Sequence, residues 1–374
     1  MKKTTGLLLT ILFGVLLLSQ NVRASWTTQR LTWSSGESLY PAIAADSNNH
    51  LHVVWQDDTH GNNEIFYKKS TDKGISWTSQ RLTWNSGESY YPAIAVGFNN
   101  WLHLVWRDNT SGSYEVYYKR STNGGTSWTT QRLTWSPGGS NYLTIAADSN
   151  NHLHVVWGGS KYEIYYKKST NGGDSWMNTQ RLTWNAGGSY VPCITADSSN
   201  YIHIVWCDNS SDDYEIYYKR STNGGTSWTT QRLTWTSGES WYPDICVDTN
   251  NHLHVVWEDY TGGAEIYYKK STDGGGSWTI QRLTWNSGGS WRSRIASDFS
   301  NHLHVVWQDR TPGNDEIFYK KSTNGGTSWT ATQRLTWTDG HSKEPAIAAD
   351  SSNHLHIVYQ DVNSGNYEIY YKKN

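Results

Sequence analysis

The chain has 374 residues, enough for two average domains or one large all-β domain, and it contains 23 Trp, 25 Tyr and 33 Gly but only 7 Pro. Aromatic residues at 14% exclude a disordered chain, and the composition is not the Ala, Glu, Lys and Leu mixture of long helices. A formal charge of −2, with no run of five like charges, argues against a basic nucleic-acid-binding face.

The first segment reads as a secretory signal peptide over residues 1–24. Lys2 and Lys3 are followed by an apolar stretch from Leu7 to Leu18 and a small-residue exit at Val22-Arg23-Ala24, too short for a spanning helix. Cleavage near Ala24 would remove three cations and take the formal charge to about −5. The expectation is a secreted, periplasmic or extracellular protein whose residues 25–374 form one domain with no membrane span. The three cysteines, Cys193, Cys207 and Cys246, cannot build a disulfide framework and read as small buried side chains.

The string Gln-Arg-Leu-Thr-Trp occurs seven times, starting at Gln29, Gln80, Gln131, Gln180, Gln231, Gln281 and Gln333, at intervals of 49 to 52 residues. A period near 50 made of short strands indicates a radial array. In the first unit, strand A is Tyr40 to Asp46, strand B is His50 to Asp57, strand C is Glu64 to Lys69, and strand D lies within Trp77 to Trp84. Each is rich in β-branched or aromatic residues and bounded by Asn, Gly, Ser or Asp. Strands A and B lack a strongly polar side, which predicts cover on both faces. The mature chain opens with a D strand, Trp26 to Thr32, and stops after a C strand at Asn374. Pairing these ends hides two open sheet edges. The predicted fold is therefore an all-β, seven-bladed β-propeller of four-stranded antiparallel blades, the last closed by the N-terminal strand.

The turn between C and D reads Ser70-Thr71-Asp72-Lys73-Gly74-Ile75-Ser76-Trp77 and recurs up to Trp128, Trp176, Trp228, Trp278 and Trp329. It resembles the Asp box (BNR repeat) of the sialidase-like propellers. The resemblance spans essentially the whole mature chain and implies a propeller working on glycans or other extracellular surfaces. Fold alone does not imply catalysis. The box residues Asp72, Asn123, Asn171, Asn223, Asp273 and Asn324 read as structural turn caps. They lack the spaced carboxylates of a calcium loop, so no metal or other cofactor is predicted.

Several columns recur. Trp55 and Trp77 represent columns expected in the core, and the His column (His52, His103, His154, His203, His254, His304, His356) sits inside strand B as hydrogen-bonded core. Trp33, Trp84, Trp135, Trp184, Trp235, Trp285 and Trp337 precede a polar loop and offer sugar-stacking platforms. The same loop face should carry Asp57, Asp108, Asp208, Asp259, Asp309 and Asp361, with Gly159 replacing the Asp in blade three. It should also carry Glu64, Glu115, Glu163, Glu215, Glu265, Glu316 and Glu368. With the Arg column (Arg30, Arg81, Arg132, Arg181, Arg232, Arg282, Arg334) these could clamp a monosaccharide or could stitch blades together. Alternation along strand D places Arg30 and Trp33 on opposite faces unless the strand stops first.

The family resemblance implies a test for catalysis, because sialidases use an arginine triad, a Tyr–Glu nucleophile pair and an Asp acid/base. No Arg-Ile-Pro-like motif occurs near the N-terminus. The best asymmetric cluster is Asp244, Arg292, Arg294 and Glu344, with Lys343, at the starts of strand A in blades five to seven. An enzyme would use these carboxyls for acid/base work and the arginines for an anionic substrate. The leading expectation is a secreted, non-catalytic, lectin-like propeller binding a glycan or cell-surface ligand through repeated loop-face sites. The alternatives are an exo-acting, sialidase-type glycosidase and a scaffold that docks a protein partner.

Overall fold

Strand B explains why the units must stack. In the first blade every residue of Leu51–Asp57 is buried, on both sides of the strand. A single sheet cannot cover both of its faces, so each blade needs a neighbour on either side. The computed structural model describes residues 26–135, 139–184, 186–363 and 365–374, and the proposed signal peptide lies outside them. It contains seven four-stranded antiparallel sheets, and a 3₁₀ turn at Ser160–Tyr162 is the one helical element among the described residues.

Blade one comprises A (Ser38–Ala45), B (Leu51–Asp57), C (Glu64–Ser70) and D (Thr78–Arg81). Blades two to six repeat this order. Blade seven takes A, B and C from Ser342–Ala349, Leu355–Asp361 and Glu368–Lys373, and D from Thr27–Arg30 at the other end of the chain. The closing register runs from Thr27 opposite Lys373 to Arg30 opposite Tyr370.

The core lies between blades. At the closure, Leu31, Ile43, Val53 and Trp55 pack with Val358, Ile369 and Tyr371. The Trp55 column is buried as expected, with Tyr359 at its place in blade seven. Trp77, expected in the core, is only half-buried, with its ring against Tyr371 of the neighbouring blade in an edge contact at 5.2 Å. The Asp-box glycine is held by the same contact. Gly225 has φ +86°, and a Cβ there would meet the Tyr166 hydroxyl at 2.3 Å.

Two local departures from the sequence reading shape the loop face. Strand D is shorter than expected, because after Arg81 the Thr83 hydroxyl takes over the ladder by accepting the Ile65 N–H. Strand A starts earlier and contains a bulge, where the register shifts between Leu39 and Ala42. The bulged residue has positive φ in every blade: Tyr40, Tyr91, Tyr142, Val191, Tyr242, Arg292 and Glu344, at 43° to 52°. Such values in non-glycine residues mark strain maintained by the surrounding structure, and bulges of this kind re-aim side chains.

Candidate functional site

The early end of strand D decides the geometry of the rim. Once the ladder stops, the Arg30 Nε turns to donate to the Thr32 carbonyl, and the guanidinium lies over the Trp33 ring at 5.6 Å. The arrangement recurs in all seven blades with centroid distances of 5.5 to 5.9 Å. Arg and Trp therefore share a side, contrary to simple alternation. The seven indoles are 66–69% exposed, an unusual state for so large an apolar surface.

Both acidic columns face inward. Each Glu pairs with the Arg of its rim unit, for example Arg30–Glu368 at 2.7 Å, Arg81–Glu64 at 2.9 Å and Arg232–Glu215 at 2.6 Å. The pairs Arg132–Glu115, Arg181–Glu163, Arg282–Glu265 and Arg334–Glu316 complete the ring. The same carboxylate accepts the backbone N–H just after the Trp, as from Ser34 and Asn85 at 3.0 Å. The Glu side chain therefore anchors the loop that presents the indole.

The Asp column is likewise buried. Asp57 accepts from the Ser38 hydroxyl at 2.6 Å and the Thr59 N–H at 2.9 Å, and Asp108 also accepts from the Trp106 indole. Asp208, Asp259, Asp309 and Asp361 repeat the serine contact. In blade three, where Gly159 replaces the Asp, the matching Ser140 hydroxyl is buried without a partner. The placement of Asp and Glu beside a ligand on the loop face is thus corrected: at most 3% exposed, they hold the Trp loops from behind.

The opposite face carries the Asp boxes. Asp72 accepts from the Ser76 hydroxyl at 2.5 Å and from the N–H groups of Ser76 and Ile75 at 2.9 and 3.1 Å, and these bonds, the Ser76 hydroxyl first, hold its carboxyl down near pKa 2. Asn123 uses its Oδ1 in the same way toward Ser127, and Asn171, Asn223 and Asn324 do likewise. Asp273 bonds Ser277 as Asp72 bonds Ser76. The His column is buried throughout. His356 contacts the Tyr371 hydroxyl through Nδ1 at 2.7 Å and Asp350 through Nε2 at 3.1 Å, and burial pushes its pKa down to about 4. Asp298, His302 and His304 bring three donor atoms within 4.8 Å, a grouping able to hold a metal ion. In the structure both imidazoles hydrogen-bond to that carboxylate.

At the channel mouth the bulged residues form a collar. Tyr40 and Tyr91 meet edge to face at 4.5 Å, Tyr91 reaches Tyr142 at 5.9 Å, and Tyr142 reaches Tyr242 at 6.4 Å. The Arg292 guanidinium lies 3.5 Å over Tyr242 and pairs with Glu344 at 3.0 Å. Below this collar a cavity of about 220 Å³ is lined in part by Asp244, Arg294 and Glu344. The blade five-to-seven cluster is therefore brought together. Asp244 is already engaged, accepting the Ile295 N–H at 2.8 Å and lying 3.1 Å from the Cys193 sulfur. All three cysteines are free thiols, and burial raises their pKa.

One residue of this sector escaped the sequence reading. Glu258 is 1% exposed, its pKa is raised to about 7 by burial, and its Oε2 has no protein partner. The signal lay in the column just before the Asp: Gln56, Arg107, Gly158, Cys207, Glu258, Gln308 and Gln360. Only blade five has a carboxyl there.

Residues 15–183 match the model of a BNR repeat-containing family member. No curated protein matches the chain in sequence. Among solved structures, an ulvan lyase bound to a GlcA(1-4)Rha3S unit aligns with TM-score 0.67 and 9% identity, covering 92% of this chain and 95% of that one. A protein of unknown function from Dyadobacter fermentans aligns at 0.58 and 12%, covering 92% and 98%. The NanB sialidase of Streptococcus pneumoniae aligns at 0.52 and 13%, covering 92% and 70%. The match to a BNR repeat-containing family thus covers residues 15–183, and the solved structures share the β-propeller fold of this chain.

Proposed function

We propose that the protein is a secreted, non-catalytic propeller that binds glycan on cell or matrix surfaces through its rim of tryptophans. The observation carrying this reading is the sevenfold exposed Trp, each backed by an Arg and all on one face. A pyranose ring offers its C–H face to an indole, while the guanidinium edge donates to sugar hydroxyls. Each platform is shallow, so single-site affinity is expected to be weak, and seven copies raise it through effective concentration. Carbohydrate-acting proteins among the structural neighbours support a saccharide as the ligand class. Secretion rests on the basic and apolar start from Lys2 to Leu18.

A glycan array on the mature protein tests the proposal. Saturable binding with several sites per chain, weakened at least tenfold in a Trp84→Ala, Trp235→Ala double variant, is the expected result. The shared cavity of Asp244, Arg294 and Glu344 keeps one second reading open, an exo-acting glycosidase of sialidase type. Turnover of a fluorogenic sialoside that is abolished by Arg294→Ala would replace the lectin reading. Silence in both assays would leave a scaffold that docks a protein partner.

A further inference from the structure

Beside the channel collar, between blades five and six, a recess of about 360 Å³ opens on the loop face. It is lined by Tyr242, Glu258, Tyr260, Trp291, Arg292, Gln308 and Arg310. None of these belongs to the Trp rim, and the recess has no counterpart made of the same residues in another blade. Its origin lies in the column before the Asp. In blades one, six and seven that residue is Gln, whose Oε1 accepts the N–H of the next blade's bulged residue: Gln56 from Tyr91 at 3.0 Å, Gln308 from Glu344 at 3.2 Å and Gln360 from Tyr40 at 2.8 Å. Glu258 does the same for Arg292. Its second oxygen stands where glutamine carries an amide donor, and it is buried without a partner.

Apart from that oxygen, two groups of the recess keep free donors. Gln308 has committed its Oε1 to Glu344, leaving its NH₂. Arg310 lies over Trp291 at 5.4 Å and binds Asp315 through Nε and Nη2 at 3.1 and 3.0 Å, leaving Nη1. A protonated Glu258 adds an O–H donor at the base. With Glu258 neutral, these donors select a ligand group made of acceptor oxygens, and the Trp291 wall suits a sugar ring.

The geometry points to a second, non-repeated saccharide site in this recess, where the buried Glu258 carboxyl and the Gln308 amide meet the carboxylate of a uronic-acid-type sugar unit. The choice of a sugar rests on the glycan-binding reading above, while the anion selectivity rests on the recess alone. The charged and titratable groups around Glu258 are Arg292, Arg294 and Arg310 from blade six, Glu344 from blade seven, Tyr242 and Tyr260 from its own blade, and Cys207 from blade four. Arg292 is already matched by Glu344 at 3.0 Å, so the site gains most from an anion when Glu258 is neutral. An ionised Glu258 would repel the ligand, and a bound anion holds the proton on. Affinity should therefore be level below pH 7 and fall about tenfold per pH unit above it.

The test is titration of the full mature protein with glucuronate, and separately with glucose, at pH 6.0, 6.5, 7.5 and 8.5. Saturation-transfer NMR would report ligand contact. Glucuronate is expected to bind at least tenfold tighter than glucose at pH 6, with the fall above pH 7. Glu258→Gln, which restores the residue of three other blades, should bind within threefold of the wild-type low-pH value and lose the pH dependence. Trp291→Ala should abolish binding while thermal unfolding stays cooperative. Equal binding of glucose and glucuronate, a pH slope retained in Glu258→Gln, or no glucuronate binding at pH 6 would each overturn the proposal. The double variant Trp84→Ala, Trp235→Ala separates the two sites. If it leaves glucuronate binding intact and the array is silent, the rim reading fails and the recess stands.

Discussion

Acidification should unfold this propeller well before its carboxylates protonate, because seven histidines are buried in neutral form. In blade two His103 sits at 0% exposure with its Nδ1 on the Tyr118 hydroxyl at 2.8 Å and no partner at Nε2. Burial, with Arg120 adding to it, lowers its pKa from 6.5 to about 3, and burial lowers His356 to about 4. A folded-state pKa below the unfolded value means that the unfolded chain binds the proton first. The stabilisation is complete above pH 6.5 and drains away as pH falls toward 4. At pH 5 the loss is about 2 kcal/mol for each of these two residues.

Burial shifts His52, His154, His203, His254 and His304 in the same direction, so the losses accumulate. Glu258 opposes them: raised from 4.5 to about 7, it favours the folded state by about 2–3 kcal/mol at pH 5. One such group does not offset seven. Domain stabilities are about 5–15 kcal/mol, so urea midpoints followed by Trp fluorescence should drop steeply between pH 7 and 5. His103→Gln, which keeps an acceptor for Tyr118 but cannot charge, should reduce that drop by about 2 kcal/mol. An unfolding free energy that stays flat or rises from pH 7.5 to 5 would refute the reasoning.

The closing strand gives a second prediction. Removing residues 1–33 deletes Thr27–Arg30 and Leu31 and exposes the edge of Glu368–Lys373, so size-exclusion chromatography should show association or aggregation instead of the wild-type profile. The Asp box gives a third. Asp72→Asn should leave the thermal unfolding midpoint unchanged, because Asn123 makes the same backbone bond in blade two, whereas Asp72→Ala should lower it.

Period, blade count and ring closure were legible without coordinates. Seven copies of Gln-Arg-Leu-Thr-Trp at a near-constant interval, a D strand without its blade at one end and a C strand without its D at the other, leave few other arrangements. These are properties of the chain order, and strands of this length must pair with what is adjacent. The rim was half legible. Its Trp, Arg and Glu columns stood out, but alternation alone separated Arg30 from Trp33.

Only tertiary structure placed Arg and Trp together, because a threonine hydroxyl ends the ladder at the arginine and releases the backbone from its two-residue alternation. Burial of the Asp and Glu columns was decided in the same way, by a serine and an arginine about 20 residues distant in sequence, or across the ring closure for Glu368. The recess at Glu258 depends on a backbone N–H from the following blade, beside the one carboxyl in a column that varies from blade to blade. A repeat pattern specifies what every blade shares. What one blade does differently depends on the surface of the next, and that contact forms only when the ring assembles.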